Sequence, residues 1–296
     1  MKLPRLNPRE PDSHKGHYGK ALLLGGSTGM AGAIGLAGMA ALRGGAGLVT
    51  LAVPAGCQQV VASYEPSYMT WSLPADSAGR VQFEAASLLQ QRQDAFTCWA
   101  CGPGLGRSDD TIRLVAWLYE NIQQPLILDA DALYALAVRK EGLAGAAGPR
   151  ILTPHLGEFA SLKAQSWSGV PADRQGVPGT PQERQADEEL AGRFAAEHGL
   201  VMVLKGHQTL VTDGTQFYHN ETGNPGMATG GSGDVLTGLL TALVCQGLDI
   251  MSAACLGVHT HGRSGDLAAD QLGQVGMTAR DLVDYLPQAI AEQVGG

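Results

Sequence analysis

The chain has 296 residues, 41 of them glycine, with 44% hydrophobic and only 16% charged residues. That length admits one large α/β domain or two ordinary ones, and the glycine excess points to many tight loops beside buried strands. A formal charge of -8 with no basic stripe argues against a nucleic-acid partner and leaves room for a small phosphorylated ligand, which needs only a local positive patch.

Residues 1–20 are polar and Pro-bearing without an apolar signal-peptide segment. No uninterrupted apolar run reaches the ~20 residues of a membrane span, so a soluble cytoplasmic protein with no membrane partner is expected. The first apolar run, 21–24, reads as a buried strand. It feeds a glycine loop at 25–33, G-G-S-T-G-M-A-G-A, which leads into a helix. That spacing is not the G-x-G-x-x-G dinucleotide fingerprint, and no acid ends a following strand where the fingerprint needs one. Strands follow at 48–53 and 96–100. The second runs into Cys98-x-x-Cys101, which has no second pair and no histidine spacing suited to zinc. Reduced core thiols are expected there. Another glycine loop, 102–106, precedes a helix over 111–121. The strand 126–128 closes on Asp129 and Asp131. Two acids there suit either a magnesium-bound phosphate held through water or the cap of a helix starting near Ala132.

After a strand at 151–153, Pro154 disfavours helix for Thr153. The next helix therefore begins beyond it, and His155 projects from the sheet's carboxyl edge; a satisfied structural role is the plain alternative for this histidine. Residues 164–182 are rich in Gly, Pro, Ser and Gln without an apolar period and read as a surface insertion or mobile loop, a lid or a subunit contact. A helix over 183–198 precedes the strand 201–204 and the turn Lys205-Gly206-His207-Gln208-Thr209. Lysine as a compact point charge suits phosphate, although an ordinary strand-to-hairpin turn would look the same. Residues 210–212 and 216–219 flank Asp213-Gly214 as a β-hairpin. Such alternation implies βαβ units in one doubly wound α/β domain, with a mostly parallel sheet, helices on both faces and ligands beyond the carboxyl ends of the strands.

The most informative stretch is 224–247, N-P-G-M-A-T-G-G-S-G-D-V-L-T-G-L-L-T-A-L-V-C-Q-G. Val235, Leu236, Leu239, Leu240 and Leu243 keep helical spacing, which starts a helix near Ser232. The preceding glycines let backbone N–H groups converge on an anion, and the helix N-terminus adds unpaired donors and its dipole. Asp234 in the first turn is either an ordinary helix-start carboxylate or a base that takes a proton from a hydroxyl attacking phosphorus. His259 and His261 form H-x-H, but residues two apart point to different helix faces, so a metal pair is not expected.

This stretch resembles the anion-hole and base signature of ribokinase-like small-molecule kinases. Six further segments narrow the resemblance to the ADP/ATP-dependent NAD(P)H-hydrate dehydratase family. They are K-G-H-Y-G-K-A-L-L-L-G-G-S at 15–27, G-A-G-L-V-T at 45–50, C-G-P-G-L-G at 101–106, L-D-A-D-A-L at 128–133, L-T-P-H-L-G-E-F at 152–159 and V-L-K-G-H-Q-T at 203–209. They stand in the family's order across roughly 15–285. The resemblance implies a single ribokinase-like three-layer sandwich over 1–296 that dehydrates the S-epimer of hydrated NADH or NADPH, with ADP or ATP as phosphoryl donor and magnesium. It implies Asp234 as catalytic base, with Gly231, Ser232 and Gly233 as anion hole. Lys205, Gly206, His207, Gln208 and Thr209 would hold the nucleotide. Gly32, Ala33, Gly104, His155, Glu158 and Asp234 would line the substrate site; for Gly32 and Ala33 a packing role stays open. A carboxylate like Glu158 lies near magnesium and phosphate in the related kinases, and no direct protein ligand to the metal is implied. A homotetramer is expected, with any epimerase a separate protein. A thiazole or pyrimidine alcohol kinase of the same fold and a non-catalytic nucleotide sensor are the rival readings.

Overall fold

A computed structural model describes residues 3–139, 142–166 and 181–295. The expected 164–182 insertion lies mostly outside the described residues. Strands β1 (Lys20–Leu24), β2 (Leu48–Pro54) and β3 (Met69–Leu73) alternate with helices α1 (Ala31–Arg43) and α2 (Gln58–Tyr64). Then come α3 (Ala85–Gln90), β4 (Cys98–Cys101), α4 (Asp109–Asn121), β5 (Leu126–Leu128), α5 (Asp131–Ala137), β6 (Arg150–Leu152) and α6 (Leu156–Ser166). Helix α7 (Pro181–His198), β7 (Val201–Leu204), β8 (Leu210–Thr212) and β9 (Phe217–His219) lead to α8 (Ser232–Cys245), α9 (Ile250–Leu272) and α10 (Ala279–Ala291).

The described strands form one sheet in the order β3-β2-β1-β4-β5-β6-β7-β8-β9. It is parallel from β3 to β7, and only the terminal hairpin runs antiparallel. Successive strand residues feed opposite cores: Ala21 and Leu23 pack with α1, α8, α9 and α10, while Leu22 and Leu24 pack with α4 and its neighbours. Burial on both faces explains why these strands read as continuous apolar runs. The chain reverses direction between β2 and β4 on either side of β1, which makes the carboxyl ends of β1 and β4 the topological switch point where such sheets bind ligands. This is the doubly wound α/β class the sequence implied. Among the described residues no helix is long and apolar enough to cross a membrane.

Several boundaries differ from expectation by one or two residues, and one strand was not expected. The strand placed at 96–100 is Cys98–Cys101, because Phe96 and Thr97 still belong to the approach from a 3-10 turn at Gln93–Ala95. Edge strand β3 went unread, since Met69, Thr70, Trp71 and Ser72 are all partly or largely exposed and carry no buried-strand signal. The strand placed at 151–153 is Arg150–Leu152, which brings a charged residue inside. Cys98 and Cys101, an odd number apart on β4, belong to opposite cores and are free, as are the other cysteines.

Arg150 is fully buried. Its Nη2 donates to the carbonyls of Tyr119 and Ile122, each at 2.6 Å, and its Nη1 to those of Pro149 at 3.1 Å and Gln124 at 3.3 Å. The cation thus gathers orphan carbonyls at the carboxyl end of α4, where the helix dipole favours positive charge. Burial lowers its pKa to about 10. Arg150→Met should cost roughly 3 kcal/mol, because several buried acceptors lose their donors together. Arg150→Lys should recover only part, since an ammonium cannot reproduce the planar fork. Urea unfolding midpoints check this, with turnover per folded molecule expected to stay near the parent's.

Candidate active site

Loops at the carboxyl edge of the sheet bring the chemistry-bearing residues to the first turn of α8. Gly231 caps that helix with φ 93°, a left-handed conformation that favours glycine. A β-carbon there would also lie 2.5 Å from Leu36 Cδ1 of α1 and 2.9 Å from Ala279 Cβ of α10. Both backbone and packing therefore demand glycine, and the Ser232 N–H makes only a long bond, to Thr229 O at 3.4 Å; a helix start of this kind suits an anion.

Beside this turn sits a charge cluster built from four elements. Lys205, just past β7, is placed by its N–H, which donates to Pro154 O at 2.8 Å. Its Nζ donates to Asp129 Oδ1 at 2.6 Å and lies 3.8 Å from Glu158 Oε2. The other oxygen of Asp129 accepts from Thr237 Oγ1 of α8 at 2.8 Å. A β-carbon at Gly233 would be 3.4 Å from Lys205 Nζ, so the ammonium lies directly against the helix start. Asp129 is 2% exposed and Lys205 21%.

The titration of these groups follows from burial and crowding. Burial works against the Lys205 ammonium, but Asp129 and then Glu158 more than offset it, so its pKa lies above the usual value. Glu158 is raised, first by burial and then by Asp129, against the pull of Lys205. Asp234 is raised to about 7, first by burial and then by Asp129, with Lys205 opposing. Among the described residues none donates a hydrogen bond to the Asp234 carboxylate. A half-buried acid without a hydrogen-bond donor, poised near neutrality, can accept a proton from a neighbouring hydroxyl.

Neither acid after β5 caps α5 through its side chain; the N-cap is Ala130, held at φ 49° and ψ -121°. This conformation costs a non-glycine residue energy and recurs at functional sites. It turns Asp129 towards Lys205 and Asp131 away, to Gly106 N and Arg107 Nε, both at 2.9 Å. His155 and Glu158 cap α6 reciprocally. The Glu158 carboxylate accepts from His155 N at 2.8 Å, and His155 Nδ1 accepts from Gly157 N and Glu158 N at 3.0 and 3.2 Å. His155 nevertheless remains exposed at the sheet edge.

A cavity of about 600 Å³ opens on the lysine side of α8. Lys205, Gly206, His207, Gln208 and Thr209 all line it, together with Ser232 and Gly233. Gln208 holds φ 55° there, and Arg184 Nη2 of α7 donates to its carbonyl at 2.6 Å. Apolar Met227, Leu236 and Val258 complete the wall. Asp234, His155, Glu158, Gly32, Ala33 and Gly104 do not line this cavity. Gly32 and Ala33 open α1 beside the switch-point loop, where a β-carbon on Gly104 would meet Met30 O at 2.4 Å and Ala33 Cβ at 3.1 Å. One turn further along α1, Leu36 reaches Gly231. The first turn of α8 thus has the lysine-lined cavity on one side and, through Leu36, the start of α1 on the other. Sequence reading missed Thr237 and His261. Thr237 lies four residues beyond Gly233 on the same helix face, a signal that spacing offered. His261 Nε2 lies 3.0 Å from Ser232 O and points at α8; the H-x-H pattern itself gives no hint of that.

Comparison with known proteins accords with this geometry. The family model described as NAD(P)H-hydrate dehydratase matches residues 21–288. A bifunctional NAD(P)H-hydrate repair enzyme of Moorella thermoacetica is 46% identical over 290 residues, 97% of this chain. The chain spans only 52% of that protein, about half its length. An ADP-dependent (S)-NAD(P)H-hydrate dehydratase of Neisseria meningitidis is 36% identical, over 92% of this chain and 85% of its own. The Bacillus subtilis ADP/ATP-dependent NAD(P)H-hydrate dehydratase, co-crystallized with ATP/Mg2+, superposes with a TM-score of 0.79 at 31% identity, covering 99% of both chains. The fold is the ribokinase-like one. With nearly its whole length matched, the chain belongs to the NAD(P)H-hydrate dehydratase family.

Proposed function

We propose that this chain dehydrates the S-epimer of hydrated NADH and NADPH, with ADP or ATP as phosphoryl donor, and so returns damaged cofactor to use. The observation that carries this is the placement of an unpaired acid, Asp234, and a half-buried ammonium, Lys205, against one glycine-capped helix start, with a nucleotide-sized cavity on the lysine side.

In this reading Lys205, Gly206, His207, Gln208 and Thr209 hold the nucleotide so that its terminal phosphate meets the N–H groups of Gly231, Ser232 and Gly233. The hydrated nicotinamide enters from the side of Gly32, Ala33, Gly104 and His155. Asp234 takes the C6 hydroxyl proton as that oxygen bonds to phosphorus and the terminal P–O bond of the nucleotide breaks, leaving AMP from ADP or ADP from ATP. The C6–O bond then breaks, phosphate leaves with the electron pair, and loss of a C5 proton restores the double bond. Phosphorylation turns hydroxyl into a good leaving group. Elimination of phosphate and a proton leaves the oxidation state of the ring unchanged, so no redox partner is needed.

Magnesium fits the donor set. Asp129 and Glu158 share one lysine, and Asp234 stands near the same ammonium, so three carboxyl groups surround one cation. Among the described residues no three His, Cys, Asp or Glu side chains form a ready metal site, which favours an ion that arrives with the nucleotide and is held through water by Asp129, Asp131 or Glu158. When bound, it would supply charge neutralisation as negative charge develops on the transferring phosphate. A cytoplasmic homotetramer is part of this proposal, and light scattering on the purified protein tests the tetramer.

The decisive experiment follows reduced-nicotinamide absorbance with purified protein, magnesium and chemically prepared NADPH hydrate. A rise that depends on ADP or ATP is expected, and the two rates identify the donor. No rise with either nucleotide would overturn the dehydratase reading and direct the next assays to thiazole and pyrimidine alcohols.

A further inference from the structure

His261 takes no part in the steps above, yet it belongs to one face of α9 that backs the cavity. Gly262 and Gly265 bring that helix against the loop after β9: a β-carbon at Gly262 would lie 2.3 Å from Thr222 Oγ1, and one at Gly265 2.3 Å from Met227 Sδ. Thr222 Oγ1 donates to His259 O at 2.8 Å. Asp266 Oδ2 accepts from Gly223 N at 3.0 Å, and its Oδ1 accepts from Asn224 Nδ2 at 3.1 Å. Asn224 Oδ1 in turn accepts from Gly226 N at 3.0 Å. Gly223 and Asn224 both line the cavity. Asp266 therefore holds one wall by two charge-assisted bonds.

The opposite wall is the first turn of α8, and His261 holds it. The ring's Nε2 lies 3.0 Å from Ser232 O and 3.4 Å from Ser232 Oγ. A carbonyl only accepts, so the ring carries its proton on Nε2 and donates. Burial lowers the His261 pKa to about 4, which keeps the ring in that neutral form at neutral pH.

We infer that His261 and Asp266 are positioning residues for phosphoryl transfer. His261 fixes the helix start at Ser232 against the transferring phosphate, and Asp266 fixes the wall at Gly223 and Asn224 against the body of the nucleotide. This rests on the dehydratase reading, and it assigns the two residues different kinetic signatures. Donors aimed at a transition state act only when placed within fractions of an ångström, so loosening Ser232 lowers kcat. A wall that touches the nucleotide equally in ground and transition states affects KM.

The test uses the full chain in the hydrate assay. His261→Leu should lower kcat about 10- to 100-fold while nucleotide KM stays within about threefold of the parent's. His261→Gln, whose amide N–H can reach the same carbonyl, should restore most of that loss. Asp266→Asn should raise nucleotide KM about tenfold with kcat near the parent's. Equal rates for the Leu and Gln variants, or kcat and KM effects that merely track Tm in every variant, would overturn the inference. Inactivity of the parent protein would instead sink the dehydratase reading. Calorimetric ADP binding then still decides for Asp266, with about tenfold weaker binding of Asp266→Asn expected and equal affinity refuting it.

Discussion

Asp234→Asn should lower turnover about 10³-fold, within the range for removing a general base, while ADP binds nearly as before. The amide keeps the size of the side chain and cannot take the hydroxyl proton. A nucleotide sensor would be indifferent to the change, so retained turnover in the variant would remove Asp234 from the mechanism. The pH dependence follows from the same group. The base must be ionised to act, and its pKa in the folded protein is about 7. In the parent, kcat/KM should therefore rise with pH through about 7 and level off above it. Stability runs the other way. A carboxyl whose folded pKa exceeds its unfolded value binds its proton more tightly when folded, so stability falls as pH rises from the ordinary carboxylate range to about 7 and stays at the lower level above it. Asp234→Asn should raise Tm at pH 8, and the gain should shrink as pH falls through 7 and vanish below the ordinary carboxylate range. Opposite signs for activity and stability mark a group kept for function.

Lys205→Met should damage both stability and nucleotide handling. It leaves Asp129, 2% exposed, without its ammonium partner, and breaking such a pair costs about 3 kcal/mol or more. Thr237 alone then faces the charge. Nucleotide KM should rise more than tenfold, since a compact cation beside the phosphates is lost. A double substitution separates the two losses. Adding Asp129→Asn to Lys205→Met removes the stranded charge and should recover most of the denaturation midpoint, because contacting residues couple strongly. It should leave nucleotide KM poor. If the double variant regains both, Lys205 serves the fold alone.

Much of the site was legible because local demands write themselves into local sequence. The run around Gly231 needs glycine for a left-handed φ and for close packing on Leu36 and Ala279, and an apolar helical period follows immediately. Such a pattern survives in the order of residues. His155 was legible only in position. Its reciprocal cap with Glu158 appears in a three-residue spacing, while its exposure at the sheet edge depends on where β6 ends. Of the two readings for Asp129 and Asp131, the structure excludes a side-chain cap on α5, and the positive φ of Ala130 aims the two acids apart.

By itself the sequence determined the alternating strands and helices, the glycine loops at the carboxyl edge and the helix start that carries Asp234. Each rests on periodicity, turn chemistry or backbone freedom within a few residues. Only the tertiary structure decided that Asp129 pairs with Lys205 76 positions away and with Thr237 108 positions away. The same holds for His261, which meets Ser232 across 29 positions. It also decided that Arg150 is interior and that β3 completes the edge of the sheet. Pairings between distant segments leave no period in the chain. The pKa of Asp234 depends on the burial and neighbouring charges that those pairings create.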